Sequence, residues 1–93
     1  MKLDARKIRI FAGTAGELIA EDIAKGLELN LSNAKISNLA DGEVNISLLE
    51  PVKGCDVFLI QSTCSPVNNN LMELLIMIDA CKRASAKNII AVI

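Results

Sequence analysis

With 93 residues this chain makes one domain at most, and folding at that size removes only roughly 60% of the unfolded surface from water. An apolar fraction of 52% is that of a globular sequence, but Phe11 and Phe58 are the only aromatic residues, which excludes a platform of stacked rings for bases. A net charge of −1, from ten basic and eleven acidic residues dispersed along the chain, gives no cationic stripe for nucleic acid, and the lack of any histidine removes the commonest general base and metal ligand.

The opening MKLDARKIRI is charged throughout and no seven-residue apolar stretch follows it, so the expected protein is cytoplasmic, soluble and free of the membrane. Lys7 to Ala12 alternates and closes on Gly13, as a strand entering a turn does. Thr14 stands three residues before Glu17, the spacing of a capping box, and predicts a helix start. Leu18, Ile19, Ile23, Ala24 and Leu27 then recur at helical steps opposite Glu21, Asp22 and Lys25, so the helix is expected to lay that face on a sheet and to end near Gly26 and Asn30.

From Lys35 to Glu50 the period becomes two, with Val44, Ile46 and Leu48 on one side, a shorter strand around Ile36 to Leu39, and Asp41-Gly42 as the tight turn of a hairpin. Pro51, Lys53 and Gly54 make a turn into Asp56 to Gln61, an apolar run typical of a strand covered on both faces. Asn70, with Glu73 three residues later, predicts a helix N-cap. Leu71, Leu74, Leu75, Ile78 and Cys81 form one face of that helix, while Met72, Ile76, Met77 and Ala80 fill most of the other. Such a helix, about a dozen residues long, is expected to be buried on both sides and is too short for a bilayer. Asn88 to Ile93 completes a strand, helix, strand unit with parallel neighbours. The pattern predicts an α/β fold whose apolar end meets more polypeptide, either a continuation past Ile93 or partner subunits.

Three motifs bear on chemistry. Phe11 to Gly16, FAGTAG, lies between a strand and a helix, where nucleotide-binding folds hold phosphate, but it lacks the GxGxxG spacing and a P-loop lysine, and a capped turn is the simpler reading. The segment Gln61 to Asn69 leaves the carboxyl end of a strand carrying hydroxyls, a thiol and amides, which suits a ligand loop or a structural cap about equally. Asp41 and Glu43 point the same way from a hairpin and could accept hydrogen bonds from ribose or amino groups, or serve only as solvated turn residues. Cys55, Cys64 and Cys81 are odd in number without paired CxxC spacing, and read as small interior hydrophobes in a reducing compartment.

The stretches KIRIFAGTAGEL, LADGEVNISLLEPVKGCDVFLIQ and QSTCSPVNNNLMELLIMIDACKRASAKNIIAVI together resemble the N-terminal portion of the ribose-phosphate pyrophosphokinase family, from Lys7 to Ile93. The resemblance implies a phosphoribosyltransferase-like, Rossmann-like sheet, mostly parallel, with flanking helices and a β-hairpin. Residues 1–93 would then be the incomplete N-terminal domain of a two-domain enzyme that usually forms a homo-hexamer. It implies a magnesium-dependent transfer of pyrophosphate from ATP to the C1 hydroxyl of ribose 5-phosphate.

Family members read F-S-D-G-E in the hairpin that reaches a neighbouring subunit's ATP site. By that likeness Asp41 and Glu43 would contact adenosine, and Leu39 stands where an adenine-stacking phenylalanine is expected, with no π-face to offer. Asn38 likewise replaces a basic residue. Glu50 to Gly54, EPVKG, departs from the family's E-S-V-R-G, whose serine and arginine line an anion and allosteric nucleotide site between subunits. Pro51 removes the hydroxyl and a backbone donor, and Lys53 keeps charge without a bidentate fork, whereas Ser85 still matches that site. The family's ATP-binding Arg-Gln-Asp, its metal-binding histidine and its ribose-5-phosphate loop fall beyond Ile93. The resemblance therefore implies a chain that is silent by itself, holds no metal, and belongs to an active parent enzyme. The alternative is a noncatalytic associated subunit.

Overall fold

The computed structural model describes residues 7–38, 44–62 and 67–93. Its elements run β1 (Ile8–Ala12), α1 (Glu17–Gly26), β2 (Ala34–Asn38), β3 (Val44–Leu48), β4 (Asp56–Ile60), α2 (Val67–Arg83) and β5 (Asn88–Val92). The strands form a parallel sheet in the order β1-β4-β5 and a separate antiparallel pair, β2-β3. The α/β class, the parallel sheet and the antiparallel pair are as the periodicity predicts. The Asp41-Gly42 turn lies outside the described residues.

β4 is the central strand, with Ile10 opposite Phe58 on one flank and Phe58 opposite Ile90 on the other. Its unbroken apolar run follows from having two faces to bury. Val57 and Leu59 join Phe11, Leu74, Met77 and Cys81 in one core beneath α2, and the β2-β3 pair adds Ala34, Ile46 and Leu48 to the same side. Phe58 and Ile60 alternate to the other face and meet Ile10, Ala20 and Ala24 beneath α1. Between α1 and β2, residues 29–33 run past the outer edge of β1. There the Ser32 N–H donates to the Ile10 carbonyl (2.8 Å) and the Ile10 N–H to Ser32 Oγ (3.3 Å), covering an edge that would otherwise be open.

Two helix predictions are corrected. α1 seats itself through Ala20 and Ala24, while Leu18 is 79% exposed and Ile19 and Leu27 are also exposed. Small side chains one turn apart let the helix lie close to the sheet, and that rotates the larger residues outward. α2 begins at Val67 and runs for 17 residues, so Asn70 lies within its first turns and is buried instead of capping it. The Ser65-Pro66 dipeptide is the sequence signal for the earlier start. Within this chain α2 buries one face, through Leu74, Met77 and Cys81, and leaves Leu71, Met72 and Leu75 exposed. β5 is similarly uncovered, with Ile90, Val92 and Ile93 open to solvent. Among the described residues no helix is long and apolar enough to cross a membrane.

Both helices end in the same way. After α1, the Glu28 N–H bonds to the Lys25 carbonyl and the Leu29 N–H to the Ala24 carbonyl; after α2, the Ser85 N–H bonds to Lys82 and the Ala86 N–H to Cys81. This is the Schellman pattern, and it places Glu28 (φ 57°) and Ser85 (φ 64°) in the left-handed region that glycine usually fills.

Leu74→Ala should cost about 2–5 kcal/mol in urea denaturation, and Leu75→Ala well under 1 kcal/mol, about 0.5 kcal/mol. Equal losses would contradict a one-sided α2.

Candidate functional site

In parallel α/β sheets ligands gather beyond the carboxyl ends of the strands. At that edge β1 runs into the loop Gly13 to Gly16 and β4 into Gln61. Gln61 turns its side chain inward and is 1% exposed. Its Oε1 accepts from the Ala15 N–H (3.0 Å), and its Nε2 donates to the Asn70 carbonyl (3.3 Å) and to Glu73 Oε1 (3.1 Å). This pattern fixes the amide orientation, because a flip would set donor against donor and acceptor against acceptor. Its backbone N–H reaches the Val92 carbonyl of β5 (3.1 Å). One residue at the end of β4 thereby ties together the loop after β1, β5 and α2.

Glu73, 8% exposed on α2, completes the cluster. Its Oε1 accepts from the Thr14 N–H and its Oε2 from the Thr14 hydroxyl (2.9 Å). The predicted capping box is thus overturned. The α1 N-cap is Gly16, with no side-chain cap, because the Thr14 hydroxyl is engaged by a carboxylate 59 positions along the chain. The two glycines serve close approach: a Cβ at Gly13 would fall on the Gln61 side chain, and one at Gly16 on the Ile60 carbonyl. The FAGTAG stretch is therefore a packed turn. The Gly13 N–H goes to the Ile60 carbonyl and the Gly16 N–H to the Gly13 carbonyl, so all four amides of the loop are engaged within the protein.

The other expected site residues are placed in part. Leu39, Asp41 and Glu43 lie outside the described residues, as does Cys64. Pro51, Lys53 and Ser85 are exposed, and the structure brings Lys53 and Ser85 into one neighbourhood. Lys53 forms a lone antiparallel bridge with Ala86, and the Gly54 N–H donates to the Ser85 carbonyl (3.0 Å). Gly54 (φ 72°) and the Cys55 N–H bond to the Val52 carbonyl (2.9 Å) make a type II turn that carries Lys53 at its corner. Pro51 contributes its carbonyl to Arg9 Nε (3.0 Å). Sequence reasoning missed Glu73 as the partner of Thr14 and Gln61 as the partner of Ala15, since no spacing rule links residues so far apart.

Other chemistry is limited. A cavity of about 290 Å³ beside the start of β1 is lined by Ile8, Arg9, Glu28, Ser32 and Glu50, remote from the carboxyl edge. Among the described residues no three histidine, cysteine or acidic side chains gather to hold a metal. Cys55 and Cys81 are both buried, as their reading predicts, and desolvation pushes the Cys81 thiol above its ordinary range.

The profile of a family described as the N-terminal domain of ribose phosphate pyrophosphokinase matches residues 8–93. The chain belongs to that family. It is 61% identical over 87 residues to ribose-phosphate pyrophosphokinase 1 of Spinacia oleracea, covering 94% of this chain and 26% of that protein. To the ribose-phosphate pyrophosphokinase of Clostridium perfringens it is 55% identical over 93 residues, covering all of this chain and 29% of the relative. The crystal structure of phosphoribosylpyrophosphate synthetase from Mycobacterium smegmatis superposes with a TM-score of 0.87 at 44% identity, over 91% of this chain and 28% of that one. The chain thus spans about a quarter of the length of these relatives.

Gly16→Ala should destabilise by about 1–3 kcal/mol or more, because the obstacle is backbone and cannot swing aside. Gly13→Ala should displace Gln61 and unpair the Ala15 N–H. Thermal unfolding reads both, and an unchanged melting temperature in Gly16→Ala would refute the close approach. Iodoacetamide at pH 8 should spare Cys81 until urea is added, since a raised thiol holds little thiolate there. Rapid labelling of the folded chain, followed by mass spectrometry, would contradict its burial.

Proposed function

We propose that this chain is the amino-terminal part of a ribose-phosphate pyrophosphokinase, an enzyme transferring pyrophosphate from ATP to ribose 5-phosphate. The observation that carries this reading is the family match across residues 8–93, joined to a TM-score of 0.87 against a phosphoribosylpyrophosphate synthetase. In this reading the chain supplies an assembly surface and part of an ATP site, and the remaining chemistry belongs to the longer protein. The exposed apolar residues Leu18, Ile19, Leu71, Met72 and Leu75 are the surface offered to further polypeptide or to other copies in a homo-oligomer.

The β2-β3 pair suits the role of an ATP-site arm. It stands apart from the parallel sheet and is anchored through Ile46 and Leu48 against the α2 core. Asp41 and Glu43 would accept hydrogen bonds from adenosine there, and Leu39 would pack on the purine without stacking. Among the described residues no ligand cluster gathers, and in this reading magnesium and ribose 5-phosphate are held by the longer protein. Lys53 and Ser85, joined through the Lys53 bridge to Ala86 and the Gly54 bond to Ser85, could still receive an anion. Pro51 offers that anion neither hydroxyl nor N–H, so allosteric response to phosphate or ADP is weakened.

The test is a chimera in which residues 1–93 replace the matching segment of the Clostridium perfringens relative. It should form AMP from ATP and ribose 5-phosphate with magnesium, while the 93-residue chain alone forms none. Asp41→Ala or Glu43→Ala in the chimera should raise the KM for ATP about tenfold, the loss of a hydrogen bond to a charged group. An assembled but inactive chimera would replace this reading with a noncatalytic subunit, which the Leu39, Pro51 and Lys53 departures favour.

A further inference from the structure

A loop between a parallel strand and the following helix, with free backbone amides, is the place where many folds receive a phosphate or carboxylate. Here the same donors are taken from within. Thr14 directs its N–H and its hydroxyl to the two oxygens of Glu73, and the Ala15 N–H reaches Gln61 Oε1, which is held through Nε2 against the same carboxylate. Glu73 is nearly buried, and a buried carboxylate is tolerated only when its lone pairs are met. Every side-chain polar atom buried among the described residues has a partner, so the cluster is closed.

We propose that Glu73 is an internal anion that holds the Gly13–Gly16 loop in a bound-like form, making this loop a fixed clamp between α1 and α2 and not a ligand-binding loop. Gln61 acts as the adaptor, converting an outward amide of the loop into a contact with α2. The crowding at Gly13 and Gly16, where even a methyl group meets Gln61 or Ile60, packs the loop tightly onto the end of β4. Any nucleotide phosphate must then be received elsewhere, whichever activity the longer protein carries.

The experiment is amide hydrogen exchange by NMR on the wild-type chain and on Glu73→Gln and Glu73→Ala. Glu73→Gln keeps the volume but replaces one acceptor by a donor. Exchange at Thr14 and Ala15 should accelerate at least about tenfold while β4 amides keep their protection. In Glu73→Ala, formate at constant ionic strength should restore protection at these two amides where chloride does not. In the wild type, inorganic phosphate should leave both resonances unmoved. Unchanged exchange in Glu73→Gln overturns the proposal, as does a saturable phosphate shift at Thr14 and Ala15 in the wild type. Should Glu73→Ala fail to fold, the Glu73→Gln and phosphate measurements decide alone.

Discussion

A carboxylate buried at the carboxyl edge of the sheet is the constraint from which the rest of the arrangement follows. Glu73 cannot be left unsatisfied, and the donors that meet it come from the opposite end of the described chain, at Thr14, and from Gln61 at the end of the central strand. Satisfying it forces the turn after β1 to fold back over β4, which in turn requires residues without a side chain at positions 13 and 16. The two hydrophobic cores lie on opposite faces of the sheet, and this polar cluster is where the elements of both meet.

The opposite end of the sheet is organised by backbone geometry. Both helices stop through a left-handed residue that is not glycine, and the second of these, Ser85, is also the residue whose carbonyl receives the Gly54 N–H. The end of α2 and the turn before β4 are therefore built as one piece, with the Lys87 N–H returning to the Cys55 carbonyl (2.8 Å). Lys53 and Ser85 share a neighbourhood because the fold closes there.

The strands were legible because a two-sided central strand and an alternating ribbon leave different periods in the sequence. β4 read as DVFLI and β3 as VNISL could hardly be exchanged. Helix faces were less legible. The large residues of α1 suggested the buried stripe, but closeness to the sheet favoured Ala20 and Ala24, a packing effect that hydrophobicity alone inverts. The misplaced cap at Thr14 has the same origin: a local hydrogen bond was outcompeted by a buried carboxylate that only tertiary structure brings near. Of the candidate site, Lys53 and Ser85 were singled out through likeness to a family and the fold brings them near each other, whereas Gln61 was visible only as one polar residue among several in a loop. Its inward turn depends on partners in the loop after β1 and in α2.

The donors that reach Glu73 are a backbone amide, a hydroxyl and a side-chain amide, none of them a cation. Dissolved ions weaken attraction between exposed opposite charges, as at the Asp79 and Arg83 pair on the surface of α2, and have less purchase on short contacts from neutral donors to a nearly buried carboxylate. The carboxyl edge of this sheet is accordingly fastened in a manner indifferent to ionic strength, so brine that dissolves the surface pairing would leave the interior knot tied.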